Sequence, residues 1–211
     1  MRKFLVVATT CLLAVTGTQA QVAFLYRFDH GILREFSEDR RPGTTHFFQF
    51  LSNSNNDISL AVPASLFVAG LIRQDPAMKK NALYITESFA VSSLATIALK
   101  YGVNRPRPFT TDSLITKASD GGSPSFPSGH TSEAFSIATS LSIAYPHWYV
   151  IAPAYLWASS VAFSRLYLGV HYPTDVIAGA VVGSGSAWLT YKANQWLVRR
   201  RDQRHHPANP Y

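Results

Sequence analysis

Apolar residues occur along the chain in five long runs, which are separated by short polar segments. None of these runs alternates apolar and polar residues with the period of two that is typical of β-strands. Uninterrupted runs of this length predict helices, and they cover residues 58–72, 82–99, 134–145, 148–163 and 176–191. The pattern therefore predicts an all-α fold, a bundle of five or six hydrophobic helices when the apolar N-terminus is counted.

Residues 1–20 have the pattern of a secretory signal peptide. Arg2 and Lys3 precede an apolar stretch at residues 4–15, and small residues precede a cleavage position after Ala20. An uncleaved first membrane helix also fits, but the stretch is short for a span of roughly 20 residues, which favours cleavage. In both cases the residues that follow are exported.

The segment at residues 21–57 is polar and mixed in composition. Charged residues surround the apolar positions of residues 32–36, which predicts a short amphipathic helix that ends before Pro42. A second short helix at residues 46–51 is predicted to end in a turn at residues 52–56, which are rich in Ser and Asn. The predicted organisation is a signal peptide (1–20), an amphipathic exported segment (21–57), a helical bundle (58–192) and a basic tail (193–211).

Several features of the bundle favour a membrane protein. The runs are shorter than the roughly 20 residues that cross a bilayer, but Tyr and Trp residues lie near their ends, as in membrane-interface belts. The pair Gly179-x3-Gly183 is typical of close helix contacts in membranes. Basic residues at 73–80 and after Lys192 predict that these regions face the cytoplasm, so that the outer helix ends face the periplasm or exterior. The prediction is an inner-membrane protein of the cell envelope, with a soluble periplasmic bundle as the alternative.

Charge and cysteine content narrow the function classes. The chain carries a formal net charge of +7, but its basic residues form no stripe interleaved with stacking aromatics, so nucleic acid is excluded as a partner. A phosphorylated substrate or an anionic lipid accounts better for the charge. The single cysteine, Cys11, lies in the predicted leader, which rules out an intramolecular disulfide and a cysteine-based metal site.

Three groups of polar residues lie at the ends of the apolar runs, and the last of them occupies residues 164–175. It places Arg165, His171 and Asp175 between two hydrophobic helices, where unpaired charges are costly. An imidazole with a carboxylate four residues later suggests a nucleophile or base with its orienting partner. The arginine offers a planar fork for an oxyanion such as phosphate. Considered alone, a salt bridge between helix ends has the same pattern.

The other two groups supply cations and the start of a helix. Lys100 and Arg107 are separated by six residues, and prolines around Arg107 hold it in an extended segment, which suits a tetrahedral oxyanion. By itself, a lysine at a helix C-terminus also balances the helix dipole. Ser128, Gly129 and His130 open the third helical run. The serine can cap the helix, the free amide groups can bind an anion, and the histidine can protonate a leaving oxygen.

In this order, the three groups resemble the signature of the type 2 phosphatidic acid phosphatase/vanadium haloperoxidase superfamily, in the form of its lipid phosphatase branch. The signature reads Lys-x6-Arg-Pro, Pro-Ser-Gly-His and Ser-Arg-x5-His-x3-Asp, and every position of it is filled in this chain. The spacing from Lys100 identifies Arg107, and not Arg105, as the matching arginine.

The resemblance implies a metal-independent phosphatase that needs no cofactor and works through a phosphohistidine. By position, His171 would be the nucleophile, Asp175 its orienting carboxylate and His130 the proton donor to the leaving group. The phosphate-binding positions would be Lys100, Arg107, Ser128, Gly129 and Arg165.

The expected substrate is a lipid phosphate or diphosphate. Phosphatidate, phosphatidylglycerophosphate, a polyprenyl diphosphate and a lipid A phosphate all fit the three motifs, and headgroup discrimination is expected in residues 21–57 and 109–126. A soluble acid phosphatase of broad specificity shares the same site and is the alternative. A vanadium haloperoxidase is a remote third reading, because those proteins are usually much larger.

Overall fold

The computed structural model describes residues 24–205 and the side chains of residues 24–201. Secondary structure in this part of the chain is helical throughout, which confirms the predicted all-α fold. The helices are α1 (residues 24–38), α2 (Pro42–Ile72), α3 (Pro76–Val103), the single-turn α4 (Pro108–Thr111), α5 (Gly129–Ala144), α6 (Trp148–Tyr167) and α7 (Pro173–His205). The predicted signal peptide lies outside the described residues.

Helix α2 is continuous, so the predicted turn at residues 52–56 is wrong. The Ser and Asn residues of this segment have weak helix propensity and favour turns, which is why the local pattern misleads. Two of their side chains are fully buried in contacts with other helices. Ser52 accepts a hydrogen bond from Arg165, and Asn55 donates one of 2.7 Å to Glu133. These tertiary contacts stabilise the helical conformation against the local preference.

The other helices extend beyond the apolar runs that predicted them. Helix α3 begins at Pro76 because Asp75 caps it, accepting hydrogen bonds from the amides of Ala77 and Met78 at 2.8 and 3.1 Å. Helix α7 reaches His205, so the first part of the predicted basic tail continues the last helix. The predicted amphipathic helix before Pro42 is present as α1.

Glycines allow α5 and α7 to pack closely. A Cβ atom at Gly183 would lie 2.1 Å from the carbonyl oxygen of Ser132, and one at Gly179 would lie 2.7 Å from that of Ser128. Neither position has room for a side chain, so the two helix backbones are in direct contact there. This confirms Gly179-x3-Gly183 as a close-packing face.

Polar and apolar side chains have an unusual distribution between the interior and the surface. Hydroxyl groups are buried between the helices, among them those of Ser88, Ser92, Thr96, Ser132, Ser136 and Ser140. Large apolar side chains point outward instead, and Leu94, Leu156 and Val181 are 68%, 70% and 68% exposed. A water-soluble bundle places its large apolar residues inside, whereas a bundle surrounded by lipid tolerates this arrangement.

Between residues 24 and 205, two segments are long and apolar enough to cross a membrane by length and composition, namely Pro42–Ile72 (α2) and Pro76–Thr111 (α3 with α4). Helix α5, with 16 residues, is shorter than the roughly 20 that a span requires. Helix α5 packs against α3, α6 and α7 and therefore lies at the centre of the bundle.

Backbone contacts bring particular helix ends together. The amide of Ser125, before α5, donates to the carbonyl oxygen of Arg105, after α3, at 2.7 Å, and the amide of Ser128 donates to that of Asp175, in the first turn of α7, at 3.0 Å. Helices α3 and α6 end, and α5 and α7 begin, on the same side of the bundle. Helix α1 covers this side through the fully buried Leu33, which packs against Ile115 and Tyr172. The polar groups singled out by the sequence all lie at this end.

Candidate active site

Lys100 lies in the last turn of α3, and Arg107 lies in the extended segment that follows this helix. Helix α3 ends at Val103; the next residue, Asn104, adopts the left-handed conformation, and Arg107 is extended between its two prolines. Lys100 Nζ donates a hydrogen bond of 2.6 Å to the carbonyl oxygen of Pro124. Arg107 Nε donates one of 2.8 Å to the carbonyl oxygen of Ser123. The loop between α4 and α5 therefore lies directly against both cations.

Arg165 lies in the last turn of α6 and is almost completely buried. Its Nη1 donates to the hydroxyl of Ser52 on α2 and, at 3.3 Å, to that of Ser119. Its Nη2 donates at 3.4 Å to the carbonyl oxygen of Asp120. Its Nε is buried and has no hydrogen-bond partner among the described residues. A buried guanidinium with an unused donor can accept an anion as a further partner.

The start of α5 differs in one respect from the prediction. Ser128 precedes the helix, but its side chain makes no capping hydrogen bond, so the predicted cap is wrong. Its hydroxyl instead accepts a hydrogen bond of 2.9 Å from Thr131, and its amide donates at 3.0 Å to the carbonyl oxygen of Asp175. A Cβ atom at Gly129 would lie 3.8 Å from Lys100 Cε. The amide groups of the first turn therefore lie beside the Lys100 side chain, an arrangement that suits an anion.

His171 lies in the loop between α6 and α7, and Asp175 lies in the first turn of α7. His171 Nδ1 is 3.5 Å from Asp175 Oδ2, within ion-pair distance but without the alignment of a hydrogen bond. His171 Nε2 is 3.5 Å from Arg107 Nη1. One ring nitrogen thus faces a carboxylate, and the other faces a guanidinium that can hold a phosphate.

Asp175 is fully buried and is fixed by several donors. Its Oδ1 accepts a hydrogen bond of 2.7 Å from Arg105, and its Oδ2 accepts from the hydroxyl of Ser125 and, at 3.0 Å, from the amide of Tyr172. Arg105 is held in turn by Asp29 of α1 at 2.7 Å. Burial raises the pKa of Asp175, but the adjacent His171 ring, the hydrogen bond from Ser125 and the positive charge of Arg105 outweigh it and hold the pKa below its ordinary value. The carboxylate is therefore ionised.

Both histidines lie outside the two candidate membrane spans, and both are held neutral. Burial lowers the pKa of His171 to about 3; the Asp175 carboxylate opposes this shift, and two neighbouring arginines add to it. Burial also lowers the pKa of His130 to about 3, and the positive charges of Arg165, Arg107 and Lys100 act in the same direction. Arg165, Arg107 and Lys100 around these neutral rings give the site an excess of positive charge, which favours an anionic ligand.

All eight residues that the sequence singles out lie at this one end of the bundle, although they come from four helices and three loops. The positions are Lys100, Arg107, Ser128, Gly129, His130, Arg165, His171 and Asp175. A stretch that contains all of them, residues 81–199, matches the family model of the PAP2 superfamily. The chain belongs to the PAP2 superfamily. The match spans more than half of the chain, and the membership confirms the resemblance carried by the three motifs.

Several PAP2 relatives align with this stretch. A lipid A 4'-phosphatase of Bacteroides thetaiotaomicron is 33% identical over 125 residues, which cover 56% of this chain and 55% of that protein. An undecaprenyl-diphosphatase of Sulfolobus acidocaldarius is 33% identical over 121 residues, which cover 56% of this chain and 55% of that protein. A decaprenylphosphoryl-5-phosphoribose phosphatase of Mycolicibacterium smegmatis is 37% identical over 118 residues, with coverages of 54% and 61%. The chain thus spans little more than half the length of the relatives it matches.

Two crystal structures share the fold. That of Aquifex aeolicus LpxE has a TM-score of 0.68 and 26% sequence identity, and the superposition covers 78% of this chain and 94% of that one. The structure of the first transmembrane PAP2 type phosphatidylglycerolphosphate phosphatase from Bacillus subtilis has a TM-score of 0.66 at 22% identity, with coverages of 84% and 87%. The helical bundle of this chain therefore has the fold of these two PAP2 proteins.

The structure adds residues to the site that the sequence did not single out. Asp29 of α1 binds both Arg105 and Thr174, and Ser52 of α2 binds Arg165. Helices α1 and α2 lie outside the stretch that matches the PAP2 family, so no motif pointed to these residues. In the sequence, Asp29 is an acidic residue inside a predicted amphipathic segment, and Ser52 belongs to a polar segment beside an apolar run. Neither feature indicates which residue the side chain would contact.

Proposed function

We propose that this PAP2 protein hydrolyses the phosphate ester or diphosphate bond of a membrane lipid, without a metal ion and through a phosphohistidine intermediate. The observation that carries the proposal is the position of His171, whose Nε2 is 3.5 Å from Arg107 while its Nδ1 faces Asp175 at 3.5 Å. A phosphate bound by the arginine would place its phosphorus next to the free lone pair of Nε2. The phosphatases among the relatives support the same reaction class.

In the first step, the lone pair of His171 Nε2 attacks phosphorus, and the bond between phosphorus and the leaving oxygen breaks. That oxygen takes a proton from His130. The low pKa of His130 is no obstacle, because the negative charge of a bound phosphate raises it and draws a proton to the ring. Lys100, Arg107 and Arg165 would stabilise the charge that develops on the other phosphate oxygens.

In the second step, a water molecule attacks the phosphorus of the phosphohistidine. Neutral His130 takes a proton from that water, the bond between phosphorus and nitrogen breaks, and its electron pair returns to His171. The products are the lipid alcohol, or the lipid monophosphate when a diphosphate is cleaved, and inorganic phosphate. Asp175 stabilises the positive charge that the imidazole carries while it is phosphorylated.

We further propose that the bundle is embedded in the inner membrane with this site on the periplasmic side. The exposed apolar side chains of the helices and the two candidate spans support membrane insertion. Lys79 and Lys80, at the start of α3, and the basic end of α7 lie at the opposite end of the bundle from the site, and basic residues favour the cytoplasmic side. Recovery of the protein in an osmotic-shock supernatant, free of membranes, would contradict this placement.

The reaction is tested with the full chain purified in detergent, incubated with short-chain phosphatidate and with farnesyl diphosphate in excess chelator. We expect phosphate release from at least one of them, and brief incubation with labelled substrate should leave an acid-labile, base-stable phosphate on the protein. His171→Ala should abolish both signals, whereas the exposed His46→Ala serves as the matched control and should change neither. A requirement for added divalent metal, or full activity of His171→Ala, would contradict the proposal.

A further inference from the structure

A cavity opens beside the candidate phosphate site. It has a volume of about 460 Å³ and lies between α2 and the loop that precedes α5. Its lining consists of Gln49, Asn53, Lys117, Ala118, Ser119 and Asp120. The two regions in which headgroup discrimination was expected from the sequence, residues 21–57 and 109–126, thus form one pocket.

The pocket shares a wall with the phosphate-binding candidate Arg165. Arg165 donates to the hydroxyl of Ser119 at 3.3 Å and to the carbonyl oxygen of Asp120 at 3.4 Å, and both residues line the pocket. Arg165 also contacts Ser52, which directly precedes the lining residue Asn53 in α2. The pocket is therefore adjacent to Arg165, because Ser119 and Asp120 both line it and contact the guanidinium.

The chemistry of the lining selects the kind of group that fits. Ala118 is the one apolar residue of the lining, so an isoprenoid or acyl chain would find little apolar surface there. Lys117 and Asp120 carry opposite charges, and the Lys117 ammonium lies over the Phe109 ring, 5.4 Å from its centre, so the lining has no excess of positive charge for a second phosphate. Two amides, a hydroxyl and the Asp120 carboxylate offer both donors and acceptors. Such a set complements a neutral group that is rich in hydroxyls.

An apolar surface for the lipid chains lies on the same helix. Phe47 and Phe50, which flank Gln49 in α2, are 57% and 70% exposed. A lipid whose polar headgroup enters the pocket could keep its hydrocarbon against these rings. The same turns of α2 therefore carry polar residues that line the pocket, Gln49 and Asn53, and exposed apolar residues, Phe47 and Phe50.

We infer that the pocket formed by Gln49, Asn53 and Lys117–Asp120 binds a sugar, and that the substrate is a glycolipid with its phosphate ester on the saccharide. The inference rests on the proposed phosphatase function and specifies its substrate class. The phosphate would bind at Arg165 and the sugar hydroxyls at Asn53 and Asp120. Gln49 shapes the pocket, because its amide nitrogen already donates to the carbonyl oxygen of Ala118 at 2.8 Å.

The test compares two substrates that differ only in the sugar: octyl glucoside phosphorylated at its 6-hydroxyl, and octyl phosphate. We expect the wild-type protein in detergent to hydrolyse the glucoside phosphate with a kcat/KM higher by about tenfold or more, as the gain of one or two hydrogen bonds allows. Asn53→Ala should lower kcat/KM for the glucoside phosphate by about tenfold and leave that for octyl phosphate within about twofold. Asp120→Asn should act in the same direction.

The variants are matched to separate recognition from folding. Asn53 is exposed in the middle of α2, where alanine has the higher helix propensity, so Asn53→Ala should fold normally. Asn81→Ala removes the same group at the far end of the bundle and should change neither rate. Equal wild-type rates with both substrates, a preference for farnesyl diphosphate, or equal effects of Asn53→Ala on both substrates would overturn the inference and leave the phosphatase intact. Absence of phosphate release from every substrate would overturn both proposals.

Discussion

Replacing Asp175 with asparagine tests directly how the site activates His171. The substitution keeps the size of the side chain and removes its charge. In the proposed reaction, the imidazole becomes positively charged as Nε2 bonds to phosphorus, and Asp175 Oδ2 lies 3.5 Å from the other ring nitrogen. Two unit charges at that separation interact by about 5 kcal/mol at an effective dielectric constant of roughly 20. Because only part of this charge has developed in the transition state, we expect kcat to fall roughly 10³-fold.

The fold should survive this substitution. Arg105, which donates to Asp175, keeps its hydrogen bonds to Asp29 and to the hydroxyl of Thr174, both of 2.7 Å. Asp112→Asn is the matched control. Asp112, like Asp175, is a buried carboxylate next to a histidine and an arginine, but these partners, His30 and Arg34, belong to α1 and not to the phosphate site.

The assay is the rate of phosphate release from a short-chain lipid phosphate in detergent, read together with the thermal melting curve of each variant. Asp112→Asn should lower the melting temperature and leave kcat largely unchanged, whereas Asp175→Asn should lower kcat by far more than any loss of folded protein explains. An Asp175→Asn variant that retains kcat within tenfold of the wild type would refute the role of Asp175 as the group that stabilises charged His171.

Two further predictions concern packing and pH. Gly183→Ala would place Cβ 2.1 Å from the carbonyl oxygen of Ser132; overpacking costs about 1–3 kcal/mol, so the melting temperature should fall by several degrees. Gly185→Ala has no atom within 4 Å of its new Cβ and should raise the melting temperature, and equal effects of the two changes would contradict the close contact of α5 and α7. His171 and His130 each have a pKa of about 3 in the folded protein, against about 6.5 in the unfolded chain. Between these two values the unfolded state binds more protons than the folded state. The folded protein therefore loses stability as the pH falls from about 6.5 towards 3. The melting temperature of the wild type should therefore be lower at pH 4.5 than at pH 7.5. In His171→Gln the melting temperature should depend less on pH. If the melting temperature changed equally with pH in both proteins, His171 would not be buried in its neutral form.

Much of the fold and the central part of the site follow from local patterns in the sequence. Apolar runs bounded by charges predict helices, because helix formation and the burial of an apolar stripe depend on neighbours within a few turns. The polar groups at the helix ends predict a phosphate site for a related reason. Lys100, Arg107, His130, Arg165 and His171 are too costly to leave near an apolar bundle unless they share a ligand or a partner.

Other features are decided by contacts between residues that are far apart in the chain. Ser52 meets Arg165 across 113 positions, and this contact helps turn an apparent loop into the middle of α2. Asp29 reaches Thr174 across 145 positions and connects α1 to the first turn of α7. Nothing in the local sequence of α1 or α2 identifies these partners.

The sequence by itself therefore determined the helical class of the protein, the ends at which its chemistry lies and the residues able to bind phosphate. Only the tertiary structure decided which polar residues of α1 and α2 join the site, and that Asn53 and Asp120 face one pocket. The physical reason is the range of the interactions. Helix propensity and hydrophobic periodicity act over a few residues and can be read along the chain, whereas the stability of a buried polar group depends on a partner that only folding brings close.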